Sequence, residues 1–139
     1  MDLSVIFFFA GIIIIGGVLF ALIGLTKKGS KHLNVDHYRV KWLSIEQQLK
    51  RDQPSSFSLT VLNADKLLDL ALRERGLKGQ TMAERMKTGA QLFSSRNDVW
   101  NAHKLRNRIA HETDVLVSYE DARHALAYFK QALKDIGAI

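Results

Sequence analysis

The sequence predicts an all-α protein: one N-terminal transmembrane helix followed by an antiparallel bundle of four to five helices. Three observations lead there. Residues 3–25 form an apolar run without a single charge. From residue 35 onward, apolar side chains recur at steps of three and four, the period of one helical face. No stretch sustains the period-two alternation of a half-buried strand. The chain divides accordingly into an anchor at 1–26, a basic juxtamembrane linker at 27–34 and a helical domain at 35–139.

Within Leu3–Leu25, Ser4 is the only residue that is neither apolar nor glycine. A helix of that length rises about 34 Å, enough to cross a hydrocarbon core of about 30 Å. A cleaved secretory signal would want positive charge at its start and a small-residue cleavage site. The start reads "MDLS" and the exit "GLTKKGSK", which favours an uncleaved, single-pass anchor. Lys27, Lys28 and Lys31 follow the span, and no Lys or Arg precedes it. Such residues stay preferentially on the cytoplasmic side, so the domain is expected in the cytoplasm at the cell membrane. The three lysines would then lie near anionic lipid headgroups.

The helices of the domain can be read in order. Val35, Tyr38, Trp42, Ile45 and Leu49 share a face of the first, which Pro54 is expected to end. Ser55 or Ser56 can cap the next, whose stripe is Val61, Ala64, Leu68, Ala71 and Leu72 and whose stop is Gly76. Thr81 followed by Glu84 is a capping box for a third helix. A fourth runs "VWNAHKLRNRIAHE", with Val99, Ala102, Leu105 and Ile109 turned inward. After an extended link at 113–117, Ser118 and Asp121 start the last helix, with Ala122, Leu126, Phe129, Leu133 and Ile136 as its buried face.

Composition excludes several chemistries. The absence of cysteine rules out disulfides, thiolate nucleophiles and cysteine metal sites. The five histidines match no standard zinc spacing, and there is neither a Walker loop nor a G-x-S-x-G nucleophile turn. No metal or cofactor is expected. The chain has 20 Lys and Arg against 14 Asp and Glu. Outside the juxtamembrane lysines that excess is mild, and it permits contact with nucleic acid without requiring it.

What remains is the stretch "LRNRIAHE", residues 105–112. His103 and Asn107 are four residues apart, as are Asn107 and His111, and Arg106 is three from His103, so the four make a polar stripe on one helix. An imidazole can move protons near neutral pH, and a guanidinium can grip a phosphate and offset the charge of a phosphorane-like transition state. With the 2′-hydroxyl of RNA as nucleophile, that set suffices for metal-free RNA cleavage. The stripe is equally the composition of an ordinary helix C-terminus, where basic groups meet the negative end of the dipole.

The segment "RNRIAH" resembles the R-x4–6-H signature of the HEPN superfamily, and "NADKLLDLALRERGLKGQTMAERM" is similar to the earlier helix pair of such domains. The resemblance covers about residues 36–136, and only the six-residue signature is specific. It implies a four- to five-helix bundle that dimerises so that two motifs face each other, as in metal-independent endoribonucleases of toxin–antitoxin and RNA-processing systems. On that resemblance, Arg106 and His111 are the catalytic pair and Asn107 an accessory polar residue. A homodimer, RNA and an antitoxin-like protein become the expected partners. Helical geometry, and not the signature, adds His103 and Lys104 as RNA contacts. The membrane anchor departs from the family pattern. A second function class stays open beside this one: a non-catalytic, membrane-tethered protein-interaction module.

Overall fold

The computed structural model describes residues 2–26 and 31–139. Lys27 and Lys28 lie outside the described residues, whereas Lys31 is described and exposed. The chain forms two compact units, residues 1–30 and 31–139. Among the described residues every regular element is helical, as expected.

The first unit is helix α1, Leu3–Thr26. Its segment Leu3–Gly24 is long and apolar enough to span a membrane. Its large side chains are exposed all round, Phe20 at 81% and Ile13 at 73%. A helix apolar on every face is the pattern of a membrane span or of a helix buried in a large core.

The second unit contains five α-helices: α2 (Val35–Gln48), α3 (Ser55–Glu74), α4 (Met82–Thr88), α5 (Arg96–His111) and α6 (Tyr119–Asp135). A 3-10 turn at Ala90–Leu92 follows α4. Helix α3 is central and packs against the other four. Its expected stripe is fully buried, and so is that of α6. Tyr38, Leu68, Leu72, Phe129, Leu133 and Ile136 form the middle of one continuous core. That core lies within the bundle itself, as an independently folding domain requires.

Capping explains several boundaries. The side chain of Asn34 accepts from the His37 amide at 3.1 Å and starts α2. Thr81 with Glu84, and Ser118 with Asp121, form the two expected capping boxes. Gly76, at φ +89°, ends α3 in a Schellman turn, in which the Gly76 and Leu77 amides donate to the carbonyls of Arg73 and Leu72.

Two expected boundary roles differ. Helix α2 stops at Gln48, and Pro54 sits as the N-cap of α3 instead of terminating α2. Proline suits a helix start because its missing N–H would have had no partner there. Neither serine beside it caps α3 through its side chain. Ser56 is buried, and its hydroxyl donates to the Gln53 carbonyl at 2.7 Å and accepts from the Lys50 amide at 3.1 Å. It pins the turn between the helices.

Helix α2 is held at both ends. The Tyr38 hydroxyl donates to Glu74 at 2.6 Å, and burial together with that bond pushes its pKa well up. Lys130 of α6 meets Glu46 at 2.7 Å. Burial opposes the Glu46 charge, but the Lys130 hydrogen bond and the nearby charges of Lys130 and Lys134 outweigh it and lower the pKa.

Candidate functional site

The α3 stripe carries one polar exception. Asp65 follows Val61 by four residues and precedes Leu68 by three, so helical period alone turns it inward, and it is 2% exposed. On α5, His103 falls in the same arc as Val99 and Ala102 and is 5% exposed. The packing of α3 against α5 brings the two together, with His103 Nδ1 2.7 Å from Asp65 Oδ1. The second carboxylate oxygen, Oδ2, lies 3.2 Å from Arg106 Nε. That contact is an ion pair and not a formed hydrogen bond, because the N–H of Nε has no acceptor in line.

Asn107 closes the cluster. Its Oδ1 accepts from the Arg106 guanidinium at 2.9 Å, and its amide nitrogen lies 3.3 Å from His103 Nε2. An ionised carboxylate can only accept, so His103 Nδ1 donates to Asp65, and Nε2 then accepts from Asn107. Asp65, His103, Asn107 and Arg106 thus form one connected network in which each side chain orients the next, with the buried Arg106 Nε–H as its member without a hydrogen bond.

One turn further along α3, Asp69 holds a second pair. Arg85, 5% exposed, approaches Asp69 Oδ1 through Nε at 2.8 Å, and Arg73 approaches Oδ2 at 2.7 Å. Arg85 also donates to the Gly79 carbonyl at 2.7 Å. Gly79 has to be glycine, since a Cβ there would lie 2.7 Å from the Arg85 backbone nitrogen. The two aspartate clusters line one cleft of about 790 Å³ between α3, α4 and α5. Lys66 lines it too.

The structure therefore brings together three of the five residues singled out on α5. Arg106, Asn107 and His103 line the cleft. Both nitrogens of His103 are engaged inside the protein, which leaves it a positioning group for Arg106 and Asn107 more than a surface contact. Lys104 is exposed and does not line the cleft. His111 is exposed in the last turn of α5, outside the cleft, and its side chain has no hydrogen bond, ion pair or ring contact among the described residues. Five residues from Arg106, it sits about 140° around the helix and about 7.5 Å along it. Glu112, beside it, pairs with Arg108 at 3.5 Å and leaves Arg106 to Asp65.

Asp65, Lys66, Asp69 and Arg85 were not singled out from the sequence. Asp65 could have been, because a carboxylate on an apolar arc needs a buried partner, and His103 on the apolar arc of α5 is one. Among the described residues, no three His, Asp or Glu side chains gather where one ion could join them. No family model, curated protein or solved structure matches the chain.

Proposed function

We propose that this chain is a membrane-anchored, HEPN-like RNA-binding domain that cleaves RNA without a metal, using Arg106 and His111 contributed by two copies. The observation that carries this reading is the contrast between the two residues. The Arg106 guanidinium is half-buried, fixed by Asp65 and Asn107, and lines an open polar cleft. The His111 imidazole is exposed and uncommitted, as a proton-transfer group must be before substrate arrives. One chain does not present both to the same phosphate, whereas a symmetric pair of chains can place the partner's His111 beside Arg106. In this reading Asn107 and His103 position Arg106, and Lys104 contributes charge along the path of the strand.

The direct test uses residues 31–139, the unit that holds the whole core, with mixed RNA in EDTA. The expected result is steady cleavage that depends on protein concentration through dimer formation. RNA left intact at concentrations where the domain is dimeric would remove the nuclease reading.

The second reading is a tethered, non-catalytic interaction module. It is favoured by the internal pairing of the network, in which both Asp65 oxygens and both His103 nitrogens are engaged within the protein. Under it, RNA chemistry is absent and the same four residues matter to stability alone.

The anchor is assigned to the cell membrane with the bundle in the cytoplasm, on the basic flank of Lys27, Lys28 and Lys31. Because the chain has no cysteine, Gln91→Cys would supply a unique label at an exposed site. A membrane-impermeant maleimide is expected to reach it only after lysis. Exchanging the three lysines for glutamine should raise labelling in intact cells. Full labelling of the parent chain in intact cells would reverse the orientation.

A further inference from the structure

Asp65 and Asp69 lie one helical turn apart on α3, and each fixes arginines from its neighbourhood: Arg106 at the first, Arg73 and Arg85 at the second. Every carboxylate oxygen of the two is already occupied by a His or Arg nitrogen. The cleft therefore holds more cationic donors than its own acids can use. Arg85 is spent on Asp69 and Gly79. Lys66 is exposed and has no partner among the described residues. Arg73 is 61% exposed at its side chain and makes one contact, to Asp69, through one of its three nitrogens. Arg106 is 35% exposed at its side chain and lines the same space.

We propose that this cleft is a phosphate-binding site in which Lys66 and Arg73 grip the ligand beside Arg106. The aspartates do not repel the ligand so much as hold the guanidiniums in place, which lowers the entropy lost when a phosphate docks. Lys66 and Arg73 are seven residues, or about 10.5 Å, apart along α3, far enough to meet different phosphates of one extended strand. No Phe, Tyr or Trp lines the cleft, so bases find no stacking surface there. Recognition is of the backbone and blind to sequence. The identification of the ligand as an RNA phosphodiester rests on the RNA reading given above. The site itself rests on the geometry of the cleft.

The test measures binding of a fluorescent oligouridylate to residues 31–139 across a salt series. Lys66→Ala, Arg73→Ala and the double variant are compared with wild type, with the exposed, cleft-remote Arg123→Ala as control. A thermal-shift titration with inorganic pyrophosphate is run on the same proteins. Each cleft variant is expected to reduce the slope of log affinity against log salt by about 0.7, the value per phosphate contact on a single strand, while the control leaves it unchanged. RNA binding with the same slope in all variants overturns the cleft site and leaves the RNA reading standing. No RNA binding, with a pyrophosphate shift that the double variant abolishes, keeps the site as one for free phosphates and removes RNA as its ligand. Absence of both signals in wild type overturns both.

Discussion

Asp65→Ala is expected to destabilise the bundle by about 3–5 kcal/mol, the usual result of breaking a buried ion pair from one side. The carboxylate is 2% exposed and serves His103 with one oxygen and Arg106 with the other. Its removal leaves a buried imidazole N–H without an acceptor and a half-buried guanidinium without its counter-charge. Asp65→Asn keeps one carbonyl oxygen for His103 and gives up the charge, so its loss should be smaller, about 1–3 kcal/mol. Urea unfolding of residues 31–139 measures both. A domain of this size has a total stability on the order of 5–15 kcal/mol, so the alanine variant stands near the limit of folding. If Asp65→Ala changes the midpoint by less than the error of the fit, the network is not what holds α5 on α3.

The second large effect belongs to His111. An acid–base group of this kind contributes about 10²–10⁴-fold to rate, and His111→Ala is expected to lose cleavage by that factor. Stability should not move, since the side chain is exposed and partnerless among the described residues. Arg106→Ala should lose activity as well, but it also gives up the Asp65 ion pair and the Asn107 hydrogen bond, so its melting temperature falls too. That difference separates a proton-transfer residue from one that binds charge and braces the fold. Equal cleavage by wild type and His111→Ala would leave His111 a plain helix-end histidine, favoured by the dipole alone.

Much of the bundle is written locally. The stripes of α3 and α6, the two capping boxes and the Gly76 stop each depend on residues within one or two turns, and each appears where its spacing places it. Pro54 was ambiguous, because a proline that cannot continue one helix is equally suited to begin another, and only the three-dimensional path chooses. At the end of α3, Arg73 pairs with Asp69 four residues back and Arg75 donates to the Ile136 carbonyl. The Arg75 contact spans 61 residues and has no local signal.

The α5 motif was legible as a set of residue types but not as a site. Four-residue spacing grouped His111 with Asn107 and His103, whereas the packing of α5 on α3 turns the first two-thirds of that stripe into the cleft and leaves its end in solvent. The cleft needs Asp65 and Asp69 from one helix, Arg85 from another and Arg106 from a third, so no single window of sequence contains it.

The central claim, that Arg106 and His111 act across two chains, is tested most directly by mixing inactive variants. Arg106→Ala and His111→Ala proteins are purified, combined in equal amounts, allowed to exchange subunits and assayed on RNA in EDTA. In a mixed dimer, the Arg106→Ala chain supplies an intact His111 and the His111→Ala chain an intact Arg106, which together complete one of the two symmetric sites. Half of the dimers being mixed, roughly a quarter of wild-type activity should return. Activity in the mixture no higher than in the two inactive proteins alone, with subunit exchange verified, would contradict the two-chain site.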